Sequence, residues 1–89
     1  MFYVYYLQSL DSDDSYIGFT ANLERRLEEH NHQGNVSTKH HQWRVVYFEA
    51  YLSEHDARAR EKQLKQYGKS LAMLKKRLLC SLRDPKGAG

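Results

Sequence analysis

The sequence predicts an α+β domain: a small three-stranded antiparallel or mixed sheet flanked by three helices, in the order β-β-α-β-α-α. Two observations carry that prediction. Aromatic and β-branched runs at residues 2–7, 16–19 and 43–52 read as strands, and the segments after the second and third runs carry helical periodicity instead. The chain also shows no repeated βαβ unit, which excludes a doubly wound parallel sheet.

Each element has its own justification. Residues 2–7, Phe-Tyr-Val-Tyr-Tyr-Leu, are all of strand-forming type, and the polar run 9–15 turns the chain into a second strand at 16–19. Thr20 is placed to cap a helix running to about His32, with Glu24 in its first turn and Gly34 at its end. A polar loop follows, then a third strand at 43–52, whose inner face is either Val45 and Tyr47 or Val46 and Phe48. Ser53 and Asp56 form a capping box for a second helix, which Gly68 closes. Ser70 caps a third, with Leu71, Leu74, Leu78 and Leu82 at helical spacing.

The 89 residues fit one domain, set at 1–83, with a loose tail over 84–89 that holds the sole proline. The longest unbroken apolar run covers residues 2–7, far short of a bilayer span. Met1 leads directly into strand-like residues with no basic leader, and the single cysteine, Cys80, supports neither an internal disulfide nor a zinc cage. A reducing cytoplasm is the expected setting. Net charge is only +3, but its distribution is uneven. Residues 1–50 hold 4 basic and 7 acidic side chains, whereas 51–89 hold 10 basic and 4 acidic. Nine basic residues lie between Ala57 and Arg83 with one acid, Glu61. Such clustering suits a polyanion, and it also suits a solvated helix surface.

Polar residues on apolar stripes are the candidates for chemistry. Arg26 and His30 continue the stripe begun by Leu23 and Leu27 on the first helix. A sheet-facing arginine needs an anion, supplied by a substrate or by an internal salt bridge. Glu61 shares the inner face of the second helix with Ala57 and Leu64. It reads either as a ligand for a hard divalent cation or as the ion-pair partner of Arg26. Seven tyrosines, four of them within the first hairpin, read as strand packing, and a tyrosine hydroxyl can also orient water or phosphate. The histidine pairs His30/His32 and His40/His41 have no cysteine near them, so a structural metal site is not expected.

These residues resemble the GIY-YIG nucleases over roughly residues 2–80. Tyr16-Ile17-Gly18 gives the second half of the motif literally, and Tyr3-Val4-Tyr5 stands where Gly-Ile-Tyr would. Arg26 lies eight residues after Gly18, within Asn22-Leu23-Glu24-Arg25-Arg26-Leu27, and His30 one turn further on. Glu61, in Ala59-Arg60-Glu61-Lys62-Gln63-Leu64-Lys65, matches the family's metal-binding glutamate. Tyr3 in place of glycine is the departure, and a terminal asparagine found in some members has no counterpart. The resemblance is closest to the small stand-alone bacterial branch, related to the nuclease domain of the excision-repair endonuclease subunit.

The resemblance implies a metal-dependent DNA endonuclease that hydrolyses phosphodiester bonds in repair or recombination. Glu61 would bind one Mg²⁺ or Mn²⁺, and Arg26 would stabilise transition-state charge. Tyr5 and Tyr16 would face the attacking water, one of them as base, with His30 orienting a tyrosine or the phosphate. Lys39, His40, Arg58, Lys62, Lys65 and Lys69 would hold the DNA backbone. The competing reading is a DNA-binding module with a nuclease fold and little turnover. No membrane partner is expected, and the sequence leaves monomer and homodimer equally open.

Overall fold

Alternation along the first strand sends Val4 and Tyr6 to one side and Tyr5 and Leu7 to the other, yet all four are buried, so both faces of this strand are covered. The computed structural model describes residues 1–33, 42–66 and 68–83. In it β1 (Phe2–Ser9) is the central strand, between β2 (Ser15–Thr20) and β3 (Trp43–Tyr51). Both pairings are antiparallel, so the sheet is not mixed. Val4, Tyr6 and Ile17 pack against Ala57 and Leu64 of α2 (Glu54–Gln66) and Leu74 of α3 (Gly68–Arg77). Tyr5, Leu7 and Trp43 form a second core with Leu23 and Leu27 of α1 (Leu23–Glu28).

The register shifts within β3, where Tyr6 faces Tyr47 but Leu7 faces Val45, leaving Val46 as an extra residue. The bulge decides between the two expected inner faces, and it selects neither. Val45 packs on the α1 side, Val46 and Tyr47 pack on the α2 side, and Phe48 is 50% exposed.

Several helix boundaries differ from those expected. Thr20 still belongs to β2, so Asn22 caps α1 instead, its Oδ1 accepting from the Arg25 amide at 3.1 Å. The α-helix ends at Glu28 and a π-helical turn, Glu29–Gln33, carries the chain on. Ser53 does cap α2, its Oγ accepting from the Asp56 amide at 3.4 Å. Gly68 opens α3, where it was expected to close the preceding helix. Only one residue separates α2 from α3, which puts Ser70 inside the first turn of α3, where it was expected at a cap. The leucine stripe packs as expected, but the helix breaks at Leu78, and α4 (Leu79–Arg83) makes a fourth helix. Gly34 and the expected tail lie outside the described residues.

Candidate active site

Gly18 shows how closely the first hairpin is built. Tyr5 and Gly18 are cross-strand partners, and a Cβ on Gly18 would stand 2.3 Å from the Tyr5 ring and hydroxyl. Only a residue without a side chain lets the buried Tyr5 ring cross the strand here. The third residue of the Tyr16-Ile17-Gly18 triplet is therefore set by the ring of Tyr5, one strand away. Tyr16 lies beside Tyr5, with ring centroids 6.2 Å apart.

His30 completes a three-ring cluster from the other side. The π-helical turn directs it onto the sheet, where it is 1% exposed, 4.9 Å from the Tyr16 ring and 5.8 Å from that of Tyr5. The Tyr5 hydroxyl and His30 Nε2 share a hydrogen bond of 2.9 Å whose direction follows the imidazole tautomer. Asn31 holds the turn down: its Oδ1 accepts from the Trp43 amide at 2.6 Å and its Nδ2 donates to the Trp43 carbonyl at 3.0 Å. Nothing in the sequence marks Asn31, because its partner is the backbone of a distant strand.

Burial sets the protonation states. It pushes Tyr5 up to about 12; Tyr16 beside it adds to the rise, and the positive charge of Arg26 opposes it. Burial also lowers His30 below its ordinary value, assisted by the positive charge of Arg26 and opposed by Glu29. At neutral pH the pair is thus a neutral phenol against a neutral imidazole.

Arg26 extends from α1 beside this pair. Its Nη1 donates to Glu29 Oε1 at 3.0 Å, while its Nε is buried with no hydrogen-bond partner among the described residues. The partner of Arg26 is therefore Glu29, one turn along, and the Arg26–Glu61 ion pair considered from the sequence does not form. Glu61 reaches the site from α2, close enough for its charge to be felt at Tyr5. Its Oε2 pairs with Lys65 Nζ at 3.0 Å, and that ammonium lies 5.6 Å from the Tyr16 ring centroid.

Tyr5, Tyr16, Arg26, His30 and Glu61 are thus brought together from five elements. Of the basic residues expected along DNA, Lys65 stands at the site, and Arg58 stacks 4.1 Å over the Phe19 ring while pairing with Glu54 at 3.0 Å. Lys62 is exposed on α2, and Lys69 is exposed on α3, a separate helix. Lys39 and His40 lie outside the described residues, as does His41. Among the described residues no cluster of three or more His, Cys, Asp or Glu could cage a metal.

A neutral tyrosine–imidazole pair can pass or orient a proton, a guanidinium with an unused buried N–H can receive an anion, and a carboxylate near the tyrosine can hold a cation. Comparison with known proteins gives the family. Residues 1–77 match the family model described as the GIY-YIG catalytic domain. The chain is 41% identical over 71 residues to a "UPF0213 protein" of Pediococcus pentosaceus, covering 78% of this chain and 74% of that one. No solved structure matches it.

Proposed function

The chain belongs to the GIY-YIG family, with a nuclease-type fold, and on that premise we propose that it is a divalent-metal-dependent DNA endonuclease serving repair or recombination in the cytoplasm. One observation supports this above the others: the two tyrosines, arginine, histidine and glutamate, spread over 57 positions of sequence from Tyr5 to Glu61, meet at one place.

In this reading a phosphodiester docks against Arg26, whose buried Nε supplies a donor and whose planar fork follows charge as it grows on the phosphate oxygens. Tyr16, partly open to solvent, contacts the attacking water. Tyr5 is buried and bonded to His30, so it orients that water's proton path through the imidazole. Glu61 is the residue to hold Mg²⁺ or Mn²⁺. The donor set fits such an ion: a single carboxylate, partly exposed and with one oxygen uncommitted among the described residues, leaves the other positions to water and substrate phosphate. When bound, the ion supplies Lewis-acid polarisation of the phosphate and stabilises the leaving oxygen. Arg58, Lys62 and Lys65 then line the DNA path on the same flank of α2, with Lys69 further along on α3.

Plasmid nicking tests the proposal. Cleavage in Mg²⁺ or Mn²⁺ that stops in EDTA is expected; gel retardation without nicking in any metal would overturn it. That second outcome is the reading of a DNA-binding module, and one observation favours it. Glu61 and Arg26 are both already ion-paired within the chain, to Lys65 and Glu29.

A further inference from the structure

Helical spacing gives α2 two flanks. Arg58, Glu61 and Lys65 line the one toward β2 and the three-ring cluster, and Arg60 and Gln63 line the other. The second flank forms a groove with α3, a cavity of about 440 Å³ lined by Arg60, Gln63, Ser70, Lys76 and Arg77 together with the exposed Met73 and the buried Leu74. Among the described residues no acidic side chain lines it.

The charges of this groove are unevenly compensated. Arg60 is fixed and neutralised: its Nε donates to both Glu49 oxygens at 3.0 and 3.2 Å, and Nη2 donates to Oε2 at 3.1 Å. Its Nη1 donates to Gln63 Oε1 at 2.9 Å, which holds that amide in place. Lys76 and Arg77 have no ion-pair partner among the described residues. The helix C-terminus accounts for some basic charge there, and Lys75 on the same turn serves that role equally well. Ser70, Met73 and Arg77, at i, i+3 and i+7, put a hydroxyl and a guanidinium on one stripe facing the groove. From Ser70 to Arg77 the helix rises about 10 Å, the length of about three phosphates along one strand.

We propose that the α2–α3 groove is a second, sequence-independent binding site for the nucleic-acid phosphate backbone, in which Lys76 and Arg77 neutralise phosphates of a segment lying across α2 from Glu61. The site rests on the nuclease reading for the identity of its ligand, since charge complementarity alone selects a polyanion. Its consequence for that reading is that DNA is gripped on both flanks of α2.

The test measures binding in EDTA, without cleavage. A fluorescein-labelled 30-mer, as single strand and as duplex, is titrated with wild type, the double variant Lys76→Ala/Arg77→Ala, and Lys75→Ala at 50–300 mM KCl. Losing two phosphate contacts should make the slope of log K against log[salt] shallower by about 1.8 on duplex or about 1.4 on single strand. Between 50 and 200 mM salt the double variant should then lose roughly tenfold less duplex affinity than wild type. Lys75→Ala, outside the groove, should leave the slope unchanged, and all three proteins should melt at the same temperature. An unchanged slope in the double variant overturns the proposal, as does an equal per-charge effect in Lys75→Ala, which would indicate a diffuse field. Wild-type nicking is scored separately. Cleavage with an unchanged slope removes the groove alone, a shallower slope without cleavage removes the nuclease reading alone, and no salt-dependent binding by wild type removes both.

Discussion

Arg26 has the most to do at the scale of single residues, because it supplies the one buried donor left unused beside the tyrosine–histidine pair. Arg26→Ala should lower kcat by on the order of 10²–10³. Arg26→Lys should recover little, since an ammonium has no planar fork. The fold should survive both, because the Arg26–Glu29 pair is an i,i+3 contact with 41% of the arginine side chain exposed, the kind that contributes little to stability. Near wild-type cleavage by the alanine variant, with an unchanged melt, would remove Arg26 from the chemistry. The tyrosines can be separated by their hydroxyls. Tyr5→Phe and Tyr16→Phe keep the rings and should cut activity at least tenfold, Tyr5→Phe also by releasing His30. Tyr6→Phe changes a residue of the opposite core and should leave the rate within a factor of two. Equal rates in all four proteins would return the hairpin tyrosines to packing alone.

Among the elements, α2 is held to the sheet by a network that does not touch the catalytic cluster. The Glu49 carboxylate on β3 accepts from the Tyr47 hydroxyl at 2.8 Å, from the Tyr51 hydroxyl, and from Arg60 of α2. Burial alone would raise the pKa of Glu49, but the hydrogen bonds from Arg60, Tyr51 and Tyr47 outweigh it and hold the group below the ordinary carboxylate value of 4.5. The unfolded chain therefore takes up this proton first. Stability from Glu49 is complete above about pH 4.5 and is lost as pH falls toward the lower folded value. Urea midpoints should show wild type well above Glu49→Gln at pH 7, with the gap closing as pH falls below about 4.5; parallel curves would mean that Glu49 titrates normally. The same elements show what sequence can carry. Residue type and periodicity carry the strands and the leucine stripe, the capping-box pattern carries the Ser53 cap, and polar residues on apolar stripes single out Arg26, His30 and Glu61 as candidates. The Asn22 cap, in place of Thr20, and Gly68 at the start of α3 differ from expectation because the end of β2 and the start of α3 are fixed by pairing and packing, which local cap preference does not register. The π-helical turn and the Val46 bulge leave no periodic signal, whereas the Glu61–Lys65 pair, at i,i+4 on α2, is one that helical spacing alone supplies.

For the whole molecule, Glu61 ties stability to ligand, and its two roles have different consequences. It is the single acid among nine basic residues from Ala57 to Arg83, and it lies on the inner side of α2. Its one ion pair among the described residues, to Lys65, is an i,i+4 contact with a lysine side chain 45% exposed, so losing it should cost little. Glu61→Gln should therefore melt within about a degree or two of wild type in EDTA. Mn²⁺ gives the contrast. A cation that binds only the folded state at tenfold its Kd adds about 1.4 kcal/mol, and in a domain of this size that raises Tm by several degrees. A neutral amide is a poor ligand for a hard cation, so the variant should lose this Mn²⁺-dependent rise together with nicking. Its DNA affinity in EDTA should hold or tighten, because a negative charge beside the phosphate path has gone. Paired melts with and without Mn²⁺, run beside plasmid nicking, separate the roles. If Glu61→Gln loses stability strongly and by the same amount in both conditions, the carboxylate serves α2 as a structural partner of Lys65, and the DNA-binding module becomes the better account of the chain.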